Sequence, residues 1–130
     1  MCQDGSLQLA ENRTLSIISP GFPELYPINV DCAWIISTSD NSNVALRFLE
    51  FGISSWLWDY GFEYLDIGIG DIANSTERHI RLQGTLFPQS LIVRDSTVWM
   101  IFHSSKTIND QNIGFEIEVS RTIINGKNCF

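Results

Sequence analysis

Apolar residues along this chain come in short runs, separated by turn residues about every ten positions. That rhythm predicts an all-β sandwich. The expected strands are Leu15–Ser19, Ala33–Ser37, Asn43–Phe51, Tyr64–Gly68, His79–Gln83, Ser90–Val93, Val98–His103 and Gly114–Ser120. The last shows the clearest alternation: Phe115, Ile117 and Val119 take turns with Glu116 and Glu118, so one face is buried and the other wet. In "NVALRFLEF", Val44, Leu46 and Phe48 share a face, but Phe51 breaks the parity. A β-bulge near Leu49–Glu50 would return Phe51 to the core side. Turn chemistry stands where strands must reverse, at Pro20-Gly21, Asp40-Asn41, Gly70-Asp71 and Asn125-Gly126. Helical periodicity, internal repeats and low-complexity tracts are absent from the sequence.

The stretch "SSWLWDYGFEYLDIG", Ser54 to Gly68, departs from ordinary alternation. Trp56, Trp58, Tyr60, Phe62 and Tyr64 share one parity. Leu65 and Ile67 belong on the core face of a strand, which places Tyr64 and Asp66 on the other. Continued backwards, that register would expose a stripe of rings, which is costly and prone to aggregation. Three outcomes are open. Gly61 breaks the register and lets Tyr60 or Phe62 fill the interior. The rings collapse into a satellite cluster on a loop. Or Trp56, Trp58 and Tyr60 are offered to a partner, as Trp and Tyr are the usual anchors of binding hot spots.

Composition narrows the class. With 130 residues, 44% apolar and 18% charged, the chain has the balance of one globular domain. Its net charge of −7 and scattered Lys and Arg set aside DNA, RNA and heparin as partners. No apolar run approaches the roughly 18 residues of a membrane helix. No signal peptide is visible, and Met1 directly before Cys2 reads as an initiator joined to a domain cut from a longer chain. The three cysteines, Cys2, Cys32 and Cys129, leave one without a partner inside the domain.

The most specific stretch is "IISPGFPELYPINVDCAWII", Ile17 to Ile36. With Cys2 upstream and "LRFLEF", "YLDI" and "NIGFEIEV" downstream, the chain resembles a CUB domain over nearly its whole length. The resemblance implies a jelly-roll β-sandwich spanning residues 2–121, with 122–130 as a tail or the start of a linker to a following module. It implies an extracellular, non-catalytic module for protein–protein recognition within a larger secreted or membrane-anchored protein, such as a receptor, an auxiliary subunit or a protease. Its partner would be an extracellular protein or neighbouring domains of the same chain. It also implies a Cys2–Cys32 disulfide, which would close a loop of about 30 residues and stabilise by roughly 3–4 kcal/mol on the chain-entropy model. Trp34, two residues after Cys32, would face the core on the same side.

The chain departs from the family in three places. The second disulfide of many CUB domains is missing, and Tyr60 falls about where one of its cysteines would be. Cys129 lies beyond the last strand of the family pattern. The calcium pattern, three acids in loops at one end, is altered. Its positions fall on Ser54 or Ser55, on Glu63, and on Ser105 beside Lys106. Two of three charges are gone, so the expectation is a domain without calcium. Asp59, Asp66 and Asp110 are the acids close enough in sequence to substitute in a rearranged loop; otherwise they are solvated loop acids.

Enzyme constellations do not hold together. Ser104-Ser105 follows His103, and His79 is available, but His103 and Ser104 are neighbours on a strand and point to opposite faces, and a Ser–His pair needs a third orienting group and an oxyanion hole. Asp59, Glu63 and Asp66 could be read as a glycosidase pair, but Asp59 and Glu63 on a strand would sit about 13 Å apart, too wide without a bend. Two histidines without Cys-x-x-Cys do not suggest zinc. Asn12-Arg13-Thr14 and Asn74-Ser75-Thr76 are glycosylation sequons, of which Asn74 is the better placed. Besides protein recognition, two functional alternatives stand: a carbohydrate-binding module that stacks exposed Trp on sugars, and a calcium-dependent ligand-binding CUB domain.

Overall fold

The computed structural model describes residues 5–9, 13–38, 42–53, 63–70, 79–85, 88–104 and 112–122. Among these, nine strands form two sheets. In chain order they are β1 (Gly5–Leu9), β2 (Thr14–Ile18), β3 (Asp31–Thr38), β4 (Asn43–Gly52), β5 (Tyr64–Ile69), β6 (His79–Leu82), β7 (Leu91–Val93), β8 (Thr97–His103) and β9 (Gly114–Thr122). One sheet runs β1-β3-β8-β5-β6 and the other β2-β9-β4-β7. All pairings are antiparallel except β1 with β3, which is parallel. The fold is the all-β sandwich that the sequence pattern predicts, in the jelly-roll form that the family resemblance implies.

Alternation sets which side chains enter the core. Cys32, Trp34 and Ile36 point inward from β3, Val98, Met100 and Phe102 from β8, and Phe115, Ile117 and Val119 from β9, all essentially inaccessible. On β4 the register shifts between Phe48 and Glu50. The extra residue, Leu49, lets Phe51 pair with Phe115 and be buried like Phe48. Edge-to-face ring contacts link the sheets: Trp34 to Phe115 at 6.0 Å, Phe115 to Phe102 at 5.1 Å, and Phe102 to Tyr26 at 5.2 Å. Each such pair contributes about 0.5–1.5 kcal/mol beyond the area it buries.

Strand β1 is absent from the expected elements. It is five residues long with two inward leucines, and its partner β3 lies far along the chain. Neither a turn nor a long alternation marks it, yet Leu9 is fully buried.

The "SPGFP" and "YP" residues act as a clamp on the sandwich. The turn closes with Phe22 N–H donating to Ser19 C=O and Glu24 N–H to Gly21 C=O. Ser19 is then fixed to the start of β9: its N–H donates to Phe115 C=O at 3.1 Å, and its hydroxyl accepts Phe115 N–H at 3.0 Å. Ser104 ties the same segment to the end of β8. Its hydroxyl donates to Pro27 C=O and accepts Val30 N–H, both at 2.8 Å.

Candidate functional site

Among the described residues, polar groups with defined geometry gather at the end of the sandwich around Glu63 and on the outer face of the five-stranded sheet. At the first, Glu63 is buried and its carboxylate accepts the hydroxyl of Tyr26. The Glu63 carbonyl accepts Gln83 Nε2–H at 2.9 Å. Glu63 thus anchors the segment entering β5 to both the "YP" segment and the residue after β6. Residues 54–62, with Trp56, Trp58, Asp59 and Tyr60, lie outside the described residues. So do Cys2, Asn12, Asn74, Ser105, Asp110 and Cys129. Cys32 is buried and disulfide-bonded.

The second place is built by strand register. On β5 the core takes Leu65 and Ile67, so Tyr64 and Asp66 face outward. Opposite them, Asp66 pairs with Arg81 of β6, Gly68 with His79, and Tyr64 with His103 of β8. These cross-strand neighbours connect. Arg81 donates from Nε to Asp66 Oδ1 at 2.8 Å and from an Nη to Oδ2 at 2.9 Å, a two-pronged pair. The Arg81 guanidinium lies 3.8 Å from the centre of the Tyr64 ring. Tyr64 stacks on His103 at 5.3 Å, and His103 Nδ1 is 2.6 Å from Asp31 Oδ1 on β3. At the other end His79 Nε2 stands 3.9 Å from Asp66 Oδ2, and its ring tilts over Trp99 at 5.7 Å. One ladder therefore runs Asp31–His103–Tyr64–Arg81–Asp66–His79–Trp99 across four strands.

Its electrostatics follow from burial. The Asp66 side chain is only 9% exposed and sits beneath Arg81, which is 44% exposed. The hydrogen bond to Asp66, reinforced by its charge, raises the Arg81 pKa above the ordinary arginine value against the cost of burial. Arg81 is thus a fully protonated cation held over the Tyr64 ring and still 44% exposed. Trp99 is 4% exposed although it points outward, because its ring lies over Gly68, which has no side chain. Its indole N–H is buried and has no acceptor among the described residues, so packing alone holds the ring.

The sequence-predicted site residues divide accordingly. Glu63 and Asp66 turn to opposite faces of the sheet and share no site. Asp66 is engaged by Arg81 with both oxygens and is not a free loop acid. His103 and Ser104 part in the same way: His103 joins the outer ladder, while Ser104 is buried and bound to Pro27 and Val30. Among the described residues no three of His, Cys, Asp or Glu gather in a metal-binding arrangement. Arg81, His79, His103 and Trp99 were not legible as a group, since strand register alone makes them neighbours. The weak signal was Tyr64 and Asp66 sharing an outward face.

Two facing sheets around an aromatic core define an all-β sandwich, with Tyr64, Arg81, His79 and His103 on the outer face of one sheet. The family pattern described as the CUB domain matches residues 2–119, and the chain belongs to that family. Among curated proteins it is similar to cubilin of Sus scrofa, 32% identical over 102 residues. That match covers 75% of this chain and 3% of cubilin. It is also similar to zinc metalloproteinase nas-39 of Caenorhabditis elegans, 36% identical over 53 residues, or 41% of this chain and 6% of that protein. The chain thus spans only a few per cent of the length of these relatives. Among solved structures, the CUB1-EGF-CUB2 region of human MASP-1/3 superposes with a TM-score of 0.72 at 24% identity, covering 93% of this chain and 43% of that one. The MASP-1 CUB2 domain bound to Ca2+ superposes at 0.67 with 20% identity, covering 90% and 98%. At these identities the structural likeness speaks for the fold.

Proposed function

We propose that this chain is a non-catalytic, extracellular protein–protein recognition module of a larger secreted or membrane-anchored protein, and that the Tyr64–Arg81 ladder is a contact surface. The observation that carries this reading is the ladder itself. Tyr and Arg are among the residue types that dominate binding hot spots, and here the strands and a two-pronged ion pair hold Tyr64 and Arg81 in place before any partner arrives. Trp56, Trp58 and Tyr60, on the segment joining Ile53 to Glu63, form a second proposed contact. Cys2 is the proposed partner of Cys32, and Asn12 and Asn74 are proposed glycan acceptors. Thr122 pairs with Asn43 at the end of β9, so the proposed tail or start of a linker begins at residue 123 rather than 122.

The test is to immobilise the chain, capture proteins from extracellular fluid or cell surfaces, and measure the affinity of the captured partner for variants. Tyr64→Ala is expected to weaken binding by at least about tenfold. Far-UV circular dichroism should stay native, because Tyr64 is on the outer face. Affinity unchanged by both Tyr64→Ala and Arg81→Ala would remove the ladder from the interface. Glycan-array binding abolished by Trp56→Ala or Trp58→Ala would replace the protein-recognition reading with a carbohydrate one.

A solved relative binds calcium, but the residues of this chain do not fit that ion. Calcium takes 6–8 oxygen ligands, and its affinity follows the number of charged ones. Of the three acid positions only Glu63 carries a charge, and it is hydrogen-bonded to Tyr26; serines hold the other two. Asp66 is on the opposite face with both oxygens on Arg81. Millimolar calcium and a chelator are therefore expected to give the same Tm within error. A ligand that binds only the folded state must raise Tm, so a rise of several degrees with calcium would show a site.

A further inference from the structure

The five-stranded sheet ends at β6, whose far side pairs with no strand among the described residues. The two faces of this edge strand differ sharply. Ile80 pairs with Ile67 and Leu82 with Leu65, so they face the interior; His79 and Arg81 pair with Gly68 and Asp66, so they face outward. Between β6 and β7, the edges of the two sheets, the interior opens as an apolar groove of about 480 Å³. That volume lies within the roughly 300–1,000 Å³ typical of binding sites. Ile67, Ile69, Ile80, Leu91 and Val93 contribute its apolar lining, with His79 and Arg94 also along it and no acid among the lining residues. Ile80 is left 43% exposed.

We propose, resting on the recognition reading, that β6 is a strand-addition site for an extended partner segment in which acidic and apolar residues alternate. An added strand takes its affinity from main-chain hydrogen bonds and its specificity from alternate side chains. Beside β6, one set of alternate side chains covers Ile80 and enters the groove. The other set lies on the outer face next to Arg81, whose guanidinium is 44% exposed beside Asp66 and offers its outer N–H groups to a carboxylate. Charge also argues against the other occupant of an open edge, a second copy of β6. Two such edges paired in register at Arg81 would bring the guanidinium groups of the two copies together, and like charges directly opposite are destabilising. The net charge of −7 repels an acidic segment at a distance, but physiological salt screens beyond about 8 Å. Contact with Arg81 is far closer than that.

The experiment titrates the isotopically labelled chain with three capped hexapeptides and follows backbone amides by NMR. The first alternates Glu and Val, the second Lys and Val, the third Glu and Ser. The Glu–Val peptide is expected to shift the amides of His79–Leu82 and slow their hydrogen exchange by at least about tenfold. The other two should do neither at the same concentration. Arg81→Glu should abolish the effect. Because that change also disturbs Asp66, Ile80→Glu provides a second variant that leaves the Arg81 pair intact and should abolish it too. The inference is overturned if Lys–Val acts equally, if Glu–Ser acts equally, or if the Glu–Val shifts map elsewhere or do not occur at millimolar peptide. None of these outcomes touches the recognition reading, which rests on the partner measurements with Tyr64→Ala and Arg81→Ala.

Discussion

Gly114→Ala is expected to cost about 4 kcal/mol of stability, which is a large part of the roughly 5–15 kcal/mol of a typical domain. Two independent effects add. Gly114 has φ +88°, in the region that side chains disfavour. A β-carbon there would also stand 1.9 Å from Ser19 Oγ and 2.6 Å from Ser19 Cβ. The hydroxyl could rotate away, but only by giving up its bond to Phe115 N–H. The Ser19 β-carbon cannot move without its backbone, and that backbone is bonded to Phe115 C=O. Relief therefore means separating the "SPGFP" turn from β9, next to the Phe115 ring that joins Trp34 to Phe102. Urea unfolding should show a lower midpoint with the same slope. A loss below about 1 kcal/mol would mean that Ser19 yields freely and the turn is not held as described.

Gly68→Ala is expected to cost about 3 kcal/mol and to displace Trp99. The added β-carbon would lie 2.1 Å from two atoms of the Trp99 ring. The ring is rigid and has no hydrogen bond among the described residues to hold it, so it swings into solvent and uncovers its side of His79. The Trp99 indole N–H signal in NMR should move toward its solvent-exposed position. A double-mutant cycle isolates the cause: with Trp99→Ala already present, Gly68→Ala should be nearly neutral. Additive costs would show that Gly68 matters for another reason, such as backbone freedom in β5. The variant also bears on the ladder, since His79 loses the ring it packs on while Arg81 and Tyr64 keep theirs.

The parts of this protein legible in its sequence are those that depend on local geometry. Successive side chains of a strand point to opposite faces, so Phe115, Ile117 and Val119 had to face the core if any did, and Tyr64 and Asp66 had to face away. The bulge that returns Phe51 inward was legible for the same reason, since a parity break in an otherwise regular strand needs one extra residue. The "SPGFP" and "YP" residues marked the family, because proline fixes its own backbone angle and glycine permits angles that other residues avoid, whatever surrounds them. What lies across from each strand was decided by the tertiary structure alone. His103 meets Asp31, 72 residues away, and Tyr64 through the registers of β3 and β5 on β8. Arg81 reaches both Asp66 and Tyr64 only because β6 pairs with β5 in the register that it does. Trp99 sits on an outer face yet is buried, since the residue across from it happens to be Gly68. Strand β1 forms because β3 offers it a parallel edge, not because its own five residues demand a strand. Facing is a property of neighbours in the chain, whereas pairing depends on where distant strands come to rest, and the candidate site is made almost wholly of pairings.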